Sequence, residues 1–229
     1  MNVSERREYF QGQREGEVIR GLQQSGVEYF ILRIFECLAA GAALLVFAPV
    51  ILLVGAIIRL GTPGPALFFQ NRLGKGEKPF RFVKFRTLHA DARRRWPELY
   101  AYQYTPEQLD ELKFKIVNDP RVSPQGHWLR KSTLDELPNF WNVLTGDMAL
   151  VGPRPEIPEM LRYYQGDMRL KFCVRPGITG LAQISGRGRL GFHETVQLDV
   201  DYVRARTIWL DLKIMVLTLY KIVIRDGAF

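Results

Sequence analysis

An uncharged apolar stretch is the strongest feature in the hydrophobic pattern of this chain. It runs from Cys37 to Ile58 without a single charged side chain. About 20 apolar residues are enough to cross the hydrocarbon core of a bilayer. The stretch therefore predicts a membrane-inserted segment, with the core helix of a soluble domain as the alternative. It begins too far from Met1 and runs too long for a secretory signal.

Two features argue against a straight membrane-spanning helix. Pro49 lies near the middle of the stretch, where proline removes one backbone hydrogen bond and kinks a helix. Basic residues flank both ends, including Arg33 before the stretch and Arg59 after it. Because positive flanks stay on the cytoplasmic side, a re-entrant segment that breaks at Ala48 and Pro49 fits both features. A kinked span with its N-terminal flank outside fits the residues equally well.

A second apolar pattern, from Ile208 to Arg225, predicts an amphipathic helix. Its polar positions recur at near-helical spacing: Asp211, Thr218, Lys221 and Arg225. Trp209 and Tyr220 accompany the apolar face and are the residue types that anchor helices at a membrane surface. Such a helix lies either in the headgroup plane or against the protein's own core.

The chain between these two patterns predicts a hairpin and further helical structure. Short apolar and aromatic runs at 66–73 and 80–85 surround a Gly-Lys-Gly turn at 74–76, which is a β-hairpin signal. Residues 92–117 are charged and aromatic with helical periodicity, typical of a surface helix or a helical insertion.

A further helix with one buried face is predicted over 130–144, where apolar residues follow steps of three and four. Ser132 or Thr133 would cap its N-terminus, which places Asp135 and Glu136 in its first turn. Free N–H groups at a helix N-terminus bind phosphate. Acidic residues are common in first turns for stability alone, so the pair by itself does not establish a site.

The residue types around this pair fit phosphoryl transfer. Arg130 supplies a forked donor suited to phosphate oxygens. Magnesium favours one or two carboxylates, completed by substrate phosphates and water. A carboxylate, a divalent ion and basic residues are the standard parts of phosphoryl-transfer sites.

The composition indicates an anionic binding partner but does not identify which one. The formal charge of +8 and the pI near 9.6 indicate an anionic partner, such as nucleic acid, a lipid surface or a phosphorylated small molecule. Cys37 and Cys173 have no metal-ligand spacing and form no disulfide framework, which is typical of a reduced environment. The three histidines are scattered, and the sequence contains no P-loop, dinucleotide-binding, serine-hydrolase or zinc-finger motif.

Asp199 and Asp201 support a competing hypothesis. With Val200 they match the short acidic triplet of many nucleotide-sugar glycosyltransferases, which would release UDP. A triplet with one free position arises easily by chance, and a solvated acidic edge beside Tyr202 is the alternative. A third hypothesis is a non-enzymatic basic membrane protein, which gives no reason for the acidic pair after Arg130.

Several long motifs resemble one family, the bacterial sugar transferases, which are monotopic phosphoglycosyl transferases that load undecaprenyl phosphate. The main motif runs from Arg130 to Asn139 and continues through 141–144 and 146–148. Other blocks occur in the same order: 63–65, 69–70, 72–74, 84–87, 118–119, 151–156 and 176–180. The resemblance covers roughly residues 31–224.

The resemblance implies a chemistry that the residues alone left open. It implies transfer of a sugar-1-phosphate from a UDP-sugar to undecaprenyl (polyprenyl) phosphate, with release of UMP. Asp135 would be the nucleophile that forms a covalent phosphosugar intermediate. Asp135 would also supply one of the ligands of Mg²⁺. Glu136 would assist the attack of the lipid phosphate. Four basic residues match substrate-binding positions: Lys84, Arg86, Arg130 and Arg154.

The resemblance also favours the re-entrant segment. The family breaks its membrane helix at a Ser-Pro pair, here Ala48 and Pro49, and returns to the cytoplasmic face. The serine that would satisfy the freed backbone is absent, and Glu36 stands where the family usually has aspartate. Both differences concern membrane geometry and not the chemistry.

We therefore expect an α+β, mostly helical fold with a re-entrant membrane segment, interfacial amphipathic helices and a small β-hairpin. Its parts are a polar extension over 1–30, the re-entrant helix over 31–60 and a cytosolic catalytic domain over 61–229. The expected location is the cytoplasmic face of a bacterial inner membrane, in the first membrane step of exopolysaccharide or glycoconjugate assembly. Expected partners are a UDP-sugar, polyprenyl phosphate and phospholipid; a homodimer is allowed for and no nucleic acid is expected.

Overall fold

The computed structural model describes residues 26–113, 116, 118–186 and 190–224. The described chain is mostly helical, as predicted. Its α-helices are α1 (Gly26–Val46), α2 (Ala48–Gly61), α3 (Ala92–Arg95), α4 (Pro106–Glu111), α5 (Pro124–Ser132), α6 (Asn139–Thr145), α7 (Leu181–Gly186), α8 (Phe192–Ala205) and α9 (Ile208–Val223). Its strands are β1 (Leu67–Leu73), β2 (Pro79–Phe85), β3 (Ala149–Val151) and β4 (Gly177–Thr179). Of the predicted extension over 1–30, residues 1–25 lie outside the described part and the rest begin α1.

The apolar stretch forms two helices that meet at Phe47. This residue has φ −89° and ψ 3°, and Pro49 lies in the first turn of α2, where its missing N–H costs little. The helix break therefore falls beside Ala48 and Pro49, as predicted. The window Tyr29–Val46 is long and apolar enough to cross a membrane, with a mean hydropathy of 1.9, and only 11% of it is buried within the protein. Such low burial does not fit the core helix of a soluble domain.

Both of these helices pack on the same globular body. Ala40 of α1 is fully buried in a cluster with Phe82 and Met148. Ile58 of α2 is buried in a second cluster with Phe85. The break at Phe47 lies between these two contacts, so the chain leaves the globular body along one helix and returns to it along the next.

Two charged residues of α1, Arg33 and Glu36, connect this helix to the globular body through hydrogen bonds and ion pairs. Arg33 donates to the carbonyls of Val143 at 2.6 Å and Leu144 at 2.8 Å, at the negative end of the α6 dipole. Glu36 is 7% exposed and accepts a 2.7 Å hydrogen bond from Arg175. An unpaired buried carboxylate would be costly, and Arg175 together with Arg33, 3.6 Å away, offsets this cost for Glu36.

The predicted hairpin is confirmed. β1 and β2 pair antiparallel, from Leu67 opposite Phe85 to Leu73 opposite Pro79. The turn between them includes Gly76 at φ 68°, a left-handed conformation that glycine adopts without strain.

A second, parallel pair was not predicted. β3 and β4 are three residues each and join Ala149 to Gly177 and Val151 to Thr179. A side chain at Gly177 would overlap the backbone nitrogen of Gly152. The glycines of these two loops are therefore required for the close approach that brings the strands together.

The prediction of one helix over 130–144 is wrong. α5 begins at Pro124, capped by Ser123, and ends at Ser132. Thr133 then adopts a left-handed conformation with φ 62°, which ends the helix. Leu134–Glu136 forms a single 3-10 turn before α6 begins at Asn139. Neither Ser132 nor Thr133 caps the N-terminus of a helix with its side chain, and the acidic pair lies on a turn between two helices.

The charged segment at 92–117 is also not one continuous helix. It contains α3, a 3-10 turn at Pro97–Tyr100 and the capped helix α4. Residues 114, 115 and 117 lie outside the described part. The segment therefore consists of short helical pieces joined by irregular backbone, and a single surface helix is not formed.

The amphipathic C-terminal helix is confirmed as α9, with two apolar sides. One side packs on the core, where Ile214 is fully buried. The other side leaves Trp209 80% exposed and Leu219 65% exposed. Asp211, one of the polar positions of this helix, does not face solvent: it is buried and accepts a 2.7 Å hydrogen bond from Tyr202. Arg225 lies outside the described residues.

The first prediction concerns the contact between α5 and the loop that follows β2. A side chain at Gly126 would overlap the carbonyl oxygen of Thr87. We expect Gly126→Ala to lower the melting temperature by roughly 3–10 °C, because overpacking costs about 1–3 kcal/mol. The measurement is thermal unfolding in detergent micelles. Gly41→Ala is the control, since its nearest neighbour is Leu144 at an ordinary 4.0 Å; equal stability of both variants would contradict the prediction.

Candidate active site

The acidic pair lies on the 3-10 turn between α5 and α6. Asp135 is 7% exposed, whereas the Glu136 side chain is 21% exposed. Consecutive residues on such a turn point in different directions. Asp135 interacts with the charge of Lys84 on β2, whereas Glu136 accepts a hydrogen bond from Arg154 in the loop that follows β3. The two carboxylates therefore lie in adjoining but different environments.

The surroundings of Asp135 oppose its ionisation in part. Burial raises the pKa of Asp135 to about 6, and the neighbouring charge of Glu136 acts in the same direction. The positive charges of Lys84, Arg154 and Arg130 act against this rise. The carboxylate is thus mostly ionised at neutral pH, and its protonation equilibrium lies close to that range.

Lys84 lies on β2, on the side that faces the acidic pair. It is partly buried, with its ammonium 5.9 Å from the centre of the Phe68 ring. Burial lowers the pKa of Lys84 to about 8, while Asp135 favours the charged form. The structure therefore brings this predicted substrate-binding residue to the nucleophile candidate.

Arg130 lies in the last turn of α5 and is oriented by two partners. Its Nε donates to the Thr87 hydroxyl at 3.2 Å, and its guanidinium lies 4.0 Å from the Asp119 carboxylate. Asp119 is itself fixed by two hydrogen bonds of 2.9 Å from the Arg121 guanidinium. The motifs at 84–87 and 118–119 therefore meet at Arg130, which explains why both accompany the main motif.

Arg154 faces Glu136 across a shallow cleft. The two side chains form an ion pair of 3.2 Å, and the Arg154 side chain is 45% exposed. Pro153 and Pro155 restrict the backbone on either side of the arginine. The cleft beside this pair is lined by Arg72, Phe82, Glu136, Asn139, Met148, Arg154, Pro155, Gly177 and Ile178. Its lining combines the charged side chains of Arg72, Glu136 and Arg154 with the apolar side chains of Phe82, Met148 and Ile178.

Arg86 is not brought to the acidic pair. Its guanidinium donates to the Pro63 carbonyl and to the Thr62 carbonyl and hydroxyl, the latter at 2.8 Å. These contacts join the end of α2 to the hairpin. The substrate-binding role of Arg86 stays a prediction, whereas its contact with the end of the apolar segment is observed.

The acidic triplet does not form a second site. Asp199 is 1% exposed and pairs with Lys171 at 3.0 Å. Asp201 accepts a 2.8 Å hydrogen bond from Gln197. The interpretation of a solvated acidic edge was therefore wrong for Asp199. Within the described ranges, no cluster of three or more histidine, cysteine or acidic residues is arranged to hold a metal ion.

Sequence reasoning missed Arg72 as a site residue. It lies on β1 and lines the cleft with Glu136 and Arg154. The available signal was its place in the motif at 72–74, but a strand arginine beside aromatic residues is equally typical of a solvated hairpin face. Arg72 is recognised as a site residue only in the tertiary structure, where the loop after β3 brings Arg154 to the same cleft.

Comparison with known proteins identifies the class. The family model for bacterial sugar transferases matches residues 27–225. The chain therefore belongs to the bacterial sugar transferase family, as the motifs predicted.

Three relatives illustrate the range of the family. Galactosyl transferase CpsE of Streptococcus agalactiae serotype III (strain NEM316) is 43% identical over 166 residues, 72% of this chain and 36% of the relative. A UDP-glucose:undecaprenyl-phosphate glucose-1-phosphate transferase of Caulobacter vibrioides is 38% identical over 86% of this chain and 71% of the relative. Exopolysaccharide production protein ExoY of Rhizobium meliloti (strain 1021) is 35% identical over 86% of this chain and 87% of its own length. The chain spans less than half the length of several other relatives.

The second prediction concerns the loss of folding stability that the charge of the buried Asp135 carboxylate causes. The pKa of Asp135 is raised in the folded protein, so the folded state is favoured below the unfolded value of 3.8 and loses that advantage as pH rises through about 6. We expect Asp135→Asn to be more stable than the wild type at pH 8, by roughly 1–3 kcal/mol. The gain should shrink as pH falls toward 4. Thermal or denaturant unfolding across this range measures it.

Asp91→Asn is the matched control for this measurement. Asp91 is 42% exposed and pairs with Arg94 on the surface, so its replacement removes no buried charge and should give no comparable gain. A loss of stability in Asp135→Asn at pH 8, or a gain that does not change with pH, would contradict the electrostatic account.

Proposed function

We propose that this protein transfers a sugar-1-phosphate from a UDP-sugar to undecaprenyl or a similar polyprenyl phosphate and releases UMP. The observation that carries the proposal is a buried carboxylate, Asp135, which lies among the cations Lys84, Arg130 and Arg154 and next to Glu136. Relatives are named for a galactosyl transfer and for a glucose-1-phosphate transfer from UDP-glucose. The sugar itself is not identified by any residue of this site.

The first half-reaction uses Asp135 as the nucleophile. Its carboxylate oxygen attacks the β-phosphorus of the UDP-sugar, and the bond from this phosphorus to the bridging oxygen breaks. UMP leaves with that oxygen, and the phosphosugar remains on the aspartate as an acyl phosphate. Lys84 and Arg130 stabilise the negative charge that the phosphoryl oxygens carry during the transfer.

The second half-reaction returns the carboxylate to its starting state. An oxygen of the polyprenyl phosphate attacks the same phosphorus, and the bond between phosphorus and Asp135 breaks. The product is a polyprenyl diphosphate sugar. Glu136 would accept a proton if the lipid phosphate arrives protonated, since its side chain is more open than that of Asp135 and pairs with Arg154 at 3.2 Å.

Mg²⁺ belongs to this proposal as the expected cofactor. The donor set fits a magnesium ion that depends on its substrate: two adjacent carboxylates, with no third acidic or histidine ligand among the described residues. Asp135 would hold the ion with the substrate phosphates. When bound, it would neutralise the diphosphate and favour departure of UMP.

We further propose that α1 and α2 form a re-entrant membrane segment at the cytoplasmic face of a bacterial inner membrane. Residues on both sides of the break, Ala40 and Ile58, are buried against one globular body. A straight span would carry one of these contacts to the far side of the bilayer. The side chains nearest the break are exposed, among them Leu45 at 78% and Leu52 at 74%. An exposed apolar surface of this kind is suited to lipid.

The third prediction tests the chemistry. Purified full-length protein, polyprenyl phosphate and Mg²⁺ are combined with a panel of UDP-sugars, and the released nucleotide is identified. We expect UMP, formed with ping-pong kinetics, and a phosphosugar that mass spectrometry finds on Asp135. Asp135→Asn should lose at least a thousandfold in rate, because the carboxylate is the attacking group.

The control variant for this assay is Asp91→Asn, which alters a surface carboxylate outside the site and should turn over normally. Release of UDP would instead indicate a direct glycosyl transfer. A strictly ternary mechanism without a covalent intermediate would exclude the nucleophilic role of Asp135.

The fourth prediction tests the membrane geometry. Single cysteines are introduced by Val27→Cys before the break and Lys78→Cys in the hairpin turn, with Cys37 and Cys173 replaced by serine. We expect an impermeant maleimide to label neither position in intact spheroplasts and both after lysis. Leu52→Cys, beside the break, should stay protected in both. Labelling of Val27→Cys in intact spheroplasts would demonstrate a spanning helix and overturn the re-entrant proposal.

A further inference from the structure

Arg72 is a second arginine in the cleft, and its side chain is only 18% exposed. It donates to the Pro155 carbonyl at 3.1 Å, and its guanidinium lies over the Phe82 ring at 5.6 Å. It also lies 4.0 Å from the Glu156 carboxylate, the outer limit of an ion pair. These contacts hold the guanidinium beside Arg154 and leave its charge only partly neutralised.

A buried polar chain continues from Arg72 into the core. Glu156 accepts a 2.8 Å hydrogen bond from the Tyr164 hydroxyl. Lys171 donates to the same hydroxyl at 3.3 Å and pairs with Asp199 at 3.0 Å. From Arg72 to Asp199 the charges alternate in sign, with the tyrosine hydroxyl as the bridge between the two ion pairs.

Stability alone gives no reason for this chain. Its inner pair is almost completely buried, with side-chain exposures of 2% for Lys171 and 1% for Asp199. Removing two charges from water is costly, and apolar side chains of similar volume are often equally or more stabilising. The apolar cluster around Tyr164 offers such packing, since it also contains Ile157, Phe172 and Phe192. The feature that the charges add is a fixed position for Arg72 at the edge of the cleft.

The fixed position of Arg72 is suited to ligand binding because a second arginine, Arg154, borders the same cleft. Burial lowers the pKa of Arg72 and the charge of Arg154 acts in the same direction, while Glu156 acts against both. Both guanidinium groups border the same cleft, and their like charges favour an anionic ligand there in addition to the carboxylates of Glu136 and Glu156. Forked guanidinium donors match phosphate oxygens in geometry as well as in charge.

We propose that Arg72 binds a substrate phosphate in the cleft as a partner of Arg154, and that the chain Glu156–Tyr164–Lys171–Asp199 holds it in place. Glu156 and the residues behind it are positioning residues, since they act through Arg72. This inference rests on the proposed function, in which both the UDP-sugar and the polyprenyl phosphate carry phosphate. Either can be the source of the bound group.

The fifth prediction separates these sources through the Michaelis constants of the two substrates. The full-length protein is assayed in nanodiscs with each substrate varied in turn. We expect Arg72→Ala to raise the KM of one substrate by ~10-fold or more, with a smaller change in kcat, since a charge-assisted hydrogen bond is lost. The affected substrate identifies the phosphate. Arg72→Lys should restore part of the loss, because a point charge remains without the fork.

The positioning chain is tested by Glu156→Gln and Tyr164→Phe. Both should raise the same KM by roughly 3- to 10-fold, because the arginine remains but is less well held. Arg94→Ala is the control, since that arginine pairs with Asp91 at the surface and is 84% exposed. Its KM values should equal those of the wild type.

The outcomes separate this inference from the proposed function. If Arg72→Ala lowers the melting temperature and leaves both KM values within twofold of the wild type, Arg72 is structural and the inference is overturned. If the wild type releases no UMP with any UDP-sugar, equilibrium binding of UDP and of polyprenyl phosphate to the same proteins decides. Binding that Arg72→Ala weakens supports the phosphate site, and binding that is unchanged or absent overturns it.

Discussion

The arrangement of the candidate site depends on an electrostatic balance around the buried carboxylate of Asp135. Burial and the charge of Glu136 oppose its ionisation, and cations from separate segments favour it. Lys84 comes from the hairpin, Arg130 from the end of α5, and Arg154 from the loop after β3. Because each cation acts over a few ångströms, the hairpin, α5 and the loop must all be correctly positioned for the carboxylate to remain charged.

The arginines of this site are themselves held by carboxylates. Asp119 orients Arg130, Glu136 pairs with Arg154, and Glu156 lies behind Arg72. A cation that is fixed in this way loses less conformational entropy when an anionic ligand binds. The site is therefore a preorganised cationic surface around the acidic pair, and its exposed carboxylate and basic groups lie where two phosphate substrates would meet.

The apolar helices serve this site through their contacts with the globular body. Ala40 shares a cluster with Phe82 and Met148, which also line the cleft. Ile58 shares a cluster with Phe85, the neighbour of Lys84 on β2. The same residues thus connect the apolar segment with the reactive groups, so that the position of the cleft relative to that segment is fixed by packing and not by a flexible linker.

The sequence by itself determined the elements whose signals are local. Alternation and a glycine turn were enough for the hairpin, unbroken apolar length for the paired helices, and motif order for the family and the acidic pair. Local periodicity failed at Thr133, because a left-handed residue interrupts the backbone without changing the hydrophobic spacing. It also missed the three-residue strands β3 and β4, which depend on glycines that let two distant loops approach. The burial of Asp135, the pairing of Asp199 with Lys171 and the place of Arg72 in the cleft were decided only by the tertiary structure, because the energy of a charge depends on which charges and how much water lie near it in space.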